Sequence, residues 1–63
     1  MTELQRMYND MLVTLEKGIN DLEKFEDGNM SAGTRVRKTM QTVKELAQKT
    51  RVAVQEQKNA VAN

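Results

Sequence analysis

Arg37, Lys44, Arg51 and Lys58 recur every seven residues. On an α-helix that spacing returns close to the same face, so the four cations form a nearly straight stripe. Lys38 and Lys49 lie further round the helix, and Arg35 sits on the opposite flank. The chemistry open to such a stripe is neutralisation of a phosphate backbone. Thr34, Gln41, Gln48 and Gln55 repeat at the same interval and can add polar contacts. A plainer use of flanking cations is pairing with acids on a neighbouring helix, each exposed pair contributing about 0–1 kcal/mol. With one Tyr and one Phe in 63 residues there are no aromatics between the bases to stack on nucleobases. That pattern disfavours single-strand readout.

A second candidate for anion binding is the stretch from Gly28 to Lys38. It closes one helix and opens another, and a helix start exposes unpaired N–H groups and the positive end of the dipole. Arg35, Arg37 and Lys38 in and just beyond those turns make a phosphate-binding corner.

Enzyme chemistry has little to work with. The chain has no His and no Cys, so a base or nucleophile would have to be a buried carboxylate or Lys. Asp21, Glu23, Glu26 and Asp27 cluster without the central Gly of an oxygen-ligand calcium loop, and read as a solvated helix end. No metal-ligand spacing and no Gly-rich phosphate loop are present. The expectation is a non-enzyme with no cofactor, no metal and no small-molecule substrate.

The elements that place these residues are two helices. Thr2 and Gln5 form a Thr-x-x-Gln capping box with Glu3 in the first turn, so helix one is expected over about 3–26. Tyr8, Leu12, Leu15, Ile19 and Leu22 step by four and three, the helical period. Met7, Met11, Gly18 and Phe25 run along one edge of that stripe, where Gly18 lets another helix approach closely. Gly28 is suited to the left-handed position that ends a helix, and Asn29, or alternatively Ser31, to the cap of the next. Helix two, over about 29–61, carries Ala32, Val36, Met40, Val43, Ala47, Thr50 and Val54 at spacings of three and four. The absence of Pro leaves nothing to break it.

A connection of a few residues folds the helices back as an antiparallel hairpin, one domain spanning 1–63. Facing residues should then have numbers summing to about 58. That register sets Leu22 against Val36, Ile19 against Met40, Leu15 against Val43, and Leu12 against Ala47 and Leu46. Met7, Met11, Phe25 and Leu46 are left beside the seam. Two helices enclose no core, so a second copy is expected to cover them in a homodimeric four-helix bundle. Gly28 and the change of charge there disfavour a long parallel coiled coil. The fold class is all-α.

Net charge is only +1, but it is divided unevenly. Residues 1–27 carry three bases and seven acids, net −4, and residues 28–63 carry seven bases and two acids, net +5. Either an acidic helix pairs with a basic one, or the second helix meets a polyanion. No apolar run approaches the roughly 20 residues of a membrane span, and Met1-Thr2-Glu3-Leu4 does not begin a signal peptide. Matched apolar stripes argue against an amphipathic membrane-surface helix. The expected location is the cytoplasm.

Residues 28–51 resemble a known family. Gly-Asn-Met-Ser-Ala-Gly-Thr-Arg-Val-Arg-Lys at 28–38, then Gln41, Lys44, Leu46-Ala47-Gln48 and Arg51, are similar to the small bacterial linker-histone-like proteins. That group includes the chlamydial nucleoid histone-like protein and short relatives in bacteria and phages. The resemblance implies sequence-nonspecific binding of the duplex DNA backbone and compaction of the nucleoid. The positions it carries over are Arg35, Arg37, Lys38, Lys44 and Arg51, with Asn29 and Gly33 as structural partners; the stripe adds Lys58. The chlamydial member continues into a Lys-rich tail that residues 1–63 do not include, so weak binding is expected. The competing expectation is a helical self-assembly module, such as a phage accessory or scaffold protein, that binds no DNA.

Overall fold

The computed structural model describes residues 1–62. They form two helices, α1 (Glu3–Glu26) and α2 (Met30–Ala62), joined by a three-residue turn. At the start of α1, Gln5 N–H donates to Thr2 Oγ1 at 3.1 Å and Thr2 N–H donates to Gln5 Oε1 at 2.9 Å. Two donors that a helix start leaves unpaired are satisfied reciprocally.

The turn is built by Gly28, whose φ of 104° lies in the region that costs a side chain. Gly28 N–H donates to Phe25 O at 3.0 Å and Asn29 N–H to Lys24 O at 2.9 Å, which closes the last carbonyls of α1. Asn29 then caps α2. Its Oδ1 accepts from Ala32 N–H at 3.2 Å and from Ser31 Oγ at 2.8 Å. Ser31 therefore supports the cap and does not replace it. Gly28→Ala should cost about 1 kcal/mol, from the left-handed backbone alone, because nothing lies within 4 Å of an added Cβ. Urea unfolding followed by circular dichroism measures it.

The helices run antiparallel. Gly18 faces Thr39, Phe25 lies against Gly33, and Asp21 binds Arg35, all pairs whose numbers sum to within two of 58. The register is therefore the expected one, but the face is not. Leu4, Met7, Met11, Thr14, Gly18 and Asp21 turn towards α2 and are partly covered, as are Val36, Thr39, Val43, Leu46, Thr50 and Ala53 opposite. Tyr8, Leu12, Leu15, Ile19 and Leu22, expected in the seam, stay at its edge, and Leu12, Leu15, Ile19 and Leu22 are 41–52% exposed. Met7, Met11 and Leu46, expected beside the seam, lie in it.

Close approach explains the rotation. A Cβ on Gly18 would sit 3.0 Å from Thr39 Cγ2, and one on Gly33 only 2.7 Å from the Phe25 ring. Small residues let the two backbones come near, and the larger stripe residues cannot occupy that gap. Two of the polar seam residues are satisfied within their own helices: Thr14 Oγ1 donates to Asp10 O at 2.7 Å and Thr50 Oγ1 to Leu46 O at 2.8 Å.

The hairpin measures 54 × 19 × 11 Å. The smallest extent is the thickness of one helix, so the chain is a single layer. Among the described residues Ala32 alone is fully buried.

Candidate nucleic-acid interface

The six basic residues singled out in the sequence divide into three groups on α2. Arg37 and Lys44 lie three residues before and four after Met40, with Arg51 and Lys58 continuing the same line. Met40 borders the open face of the hairpin together with Leu15, Ile19 and Leu22. The four-residue row therefore runs along that face, and all four side chains are exposed. Among the described residues none of the four makes an ion pair. Glu45 and Glu56, the acids of α2, project about 100–160° round the helix from their nearest neighbours in the row, so they do little to neutralise it.

Arg35 belongs to the opposite edge. It lies five residues before Met40, about 140° round the helix. Its Nε donates to Asp21 Oδ1 at 2.7 Å, the one ion pair among the described residues. Both side chains keep solvent contact, at 47% and 24%, so the pair contributes under about 1 kcal/mol. Lys38 is exposed on the outer side of α2, about 120° from Lys44.

The phosphate-binding corner at the start of α2 is not assembled as expected. Arg35 is turned onto Asp21, and Ala32 N–H in the first turn is taken by Asn29 Oδ1. Arg37 and Lys38 lie beyond the first turn, outside the reach of the helix-terminal field. The basic row, not the helix start, is the place where several cations share one surface. Of the polar residues repeating with it, Gln41 Nε2 donates to Glu45 Oε1 at 3.3 Å and Gln55 Nε2 to Asn59 Oδ1 at 3.0 Å. Thr34 and Gln48 are exposed.

One feature beside the row lies on a different face from the one its spacing predicts. Leu12, Leu15, Ile19 and Leu22 of α1 and Val36 and Met40 of α2 line an open apolar groove of about 340 Å³. Its signal was the four-and-three spacing of the stripe, which marks an apolar face without saying which neighbour covers it.

No helix among the described residues is long and apolar enough to cross a membrane. No group of His, Cys, Asp or Glu among them could hold a metal ion.

Neither a curated protein nor a solved structure matches the chain. A family model does, and its match runs over residues 5–60, which takes in both helices, the turn and the whole basic row. The two-helix hairpin with its exposed cations is thus the body of the matched unit, and the chain belongs to the histone H1-like protein Hc1 family.

Proposed function

We propose that this protein binds duplex DNA through its phosphate backbone, weakly and without sequence preference, and contributes as a homodimer to compaction of the nucleoid. Membership of a histone H1-like family supports the DNA reading. The observation that carries it is the row of Arg37, Lys44, Arg51 and Lys58, exposed along one face and free of ion pairs among the described residues. Exposed cations on a rigid helix meet phosphates without first losing a protein partner, and the counterions released from DNA drive association. Consecutive row residues rise about 10 Å along the helix, so a straight α2 can follow one stretch of backbone before the duplex curves away.

Arg35 takes little part in this account because its guanidinium is held by Asp21. Lys38 adds long-range attraction from the outer side. The row offers no base-reading geometry, since nonspecific backbone contacts carry no sequence information. Affinity in the range of about 10⁻⁴–10⁻⁶ M at physiological salt follows.

Fluorescence anisotropy with two labelled duplexes of unrelated sequence tests the proposal. The expected result is binding to both with affinities that agree within about threefold, since phosphate contacts are common to all sequences. The open apolar face favours a second reading, in which the protein assembles with itself and binds no DNA. Absence of binding to either duplex at low salt, together with a dimer or larger species in light scattering, supports that reading instead.

A further inference from the structure

We infer that Lys17, Lys24 and Lys38 form a second polyanion site, on the side of the hairpin facing away from the apolar groove. It would hold a second duplex, so that one protein bridges two DNA segments, an assignment that rests on the α2 row binding the first. The Asp21–Arg35 ion pair locates the site, because it crosses between the helices on that side. Lys17 lies four residues before Asp21 and Lys24 three after it, and Lys38 lies three after Arg35. Positions three and four apart are neighbours on a helix surface, so the three lysines surround the ion pair. All three are exposed, and among the described residues none of them makes an ion pair. Asp21 is the acid inside the group, and its carboxylate is engaged by Arg35. Asp27 borders the group beyond Lys24. Asp10 and Glu45 lie seven residues from Lys17 and Lys38, about 10 Å further along.

Lys17 and Lys24 are about 160–180° round α1 from Leu15, and Lys38 about 160° round α2 from Met40. Leu15 and Met40 line the groove, so the lysines lie on the opposite side of the layer. Lys17 and Lys24 are about 10 Å apart along α1. The register that joins Asp21 to Arg35 sets Lys38 at a level between them, on a helix whose axis is about 8–10 Å away. The three cations therefore make a triangle about 10 Å on a side. Lys38 is about 120° from Lys44, so a duplex on the α2 row does not reach the triangle. A second copy seated on the apolar groove leaves it open for the same reason. Three cations meet too few phosphates to hold a free duplex tightly. A protein already on DNA meets neighbouring segments at high effective concentration, and there weak contacts suffice. A lipid surface suits the site less well. Asn20 and Thr42 beside the lysines are polar, and Val13 at the edge, 37% exposed, is a small anchor for an acyl boundary.

A sandwich capture tests the site. Beads carrying one duplex are mixed with protein and a labelled second duplex at about 50 mM salt, and the retained label is read. The unaltered protein should retain it. Lys17→Gln, Lys24→Gln and Lys38→Gln together should cut retention at least about fivefold, while affinity for a single duplex, read by anisotropy, stays within about threefold. Lys17→Arg, Lys24→Arg and Lys38→Arg together keep the charge and should retain label as the unaltered protein does. That pair of variants separates lost charge from a disturbed helix. Equal retention by the Gln variant overturns the inference, because the two α2 rows of a dimer then do the bridging. So does a matching loss of single-duplex affinity in that variant, which would make the triangle part of the first site. No retention by unaltered protein that binds a single duplex overturns it too, as does capture of anionic vesicles but of no second duplex. Failure of the DNA-binding proposal reads differently: anisotropy then shows no binding of a single duplex, and the second site falls with the first.

Discussion

Exchanging Arg37, Lys44 and Arg51 together for Gln is expected to lower affinity for any duplex at least about tenfold at about 50 mM salt. The three residues are exposed on one row and pair with no acid among the described residues, so the loss is felt by the ligand and not by the fold. Gln is nearly as good a helix former as Lys and Arg, so helical content should be unchanged. If all four row residues meet phosphates, the log–log salt slope per chain should flatten from about −3.6 to about −0.9. Lys38→Gln, on the outer side of α2, serves as the comparison and should change affinity only slightly. Circular dichroism checks the helices and anisotropy the affinity. A triple variant that binds as well as the unaltered protein would remove the row from the account.

The second large effect is on stability. Leu15→Ala should cost about 2–4 kcal/mol per chain if, as proposed, the protein is a homodimer whose second copy covers the open apolar face. In the isolated hairpin Leu15 is 41% exposed, so the same change should cost well under half as much. The difference appears as concentration dependence. Unfolding of the unaltered protein should shift to higher urea as protein concentration rises, because folding and association are linked. Leu15→Ala should lower the midpoint and weaken that shift. Lys24→Ala, on the solvated side of α1, should leave both nearly unchanged. Equal small losses in Leu15→Ala and Lys24→Ala, with no concentration dependence, would place Leu15 outside any interface.

Local chemistry was the part of the fold most legible in the sequence. Thr2 with Gln5, Gly28 and Asn29 each act through hydrogen bonds or backbone angles set within a few residues, and each does in the structure what its type and position imply. Register followed from the shortness of the turn, as Gly18 opposite Thr39 and Phe25 against Gly33 confirm. Rotation of the helices about their own axes did not follow. The period of the strongest apolar stripe, Tyr8 to Leu22, predicts that it faces helix two, but close approach at Gly18 and Gly33 turns a more polar line inward. A hydrophobic pattern identifies which residues leave water; it does not say whether the covering surface is the same chain or another.

The basic residues show the same division. Spacing at seven placed Arg37, Lys44, Arg51 and Lys58 on one line, and the structure keeps that line exposed. Arg35 stood beside them in sequence and in the family likeness, yet it pairs across the seam with Asp21, a contact 14 residues distant. No property of Arg35 alone distinguishes it from Arg37. Its partner depends on the rotation of both helices, which is set by packing.

The salt dependence of binding to duplex DNA tests the central proposal most directly. Unaltered protein is titrated into labelled duplex at several salt concentrations between about 50 and about 200 mM, and log affinity is plotted against log salt. The account predicts a straight line with a slope near −0.9 for each phosphate met, so about −2 to −4 per chain. No binding at the lowest salt, or binding whose strength does not change with salt, would contradict it.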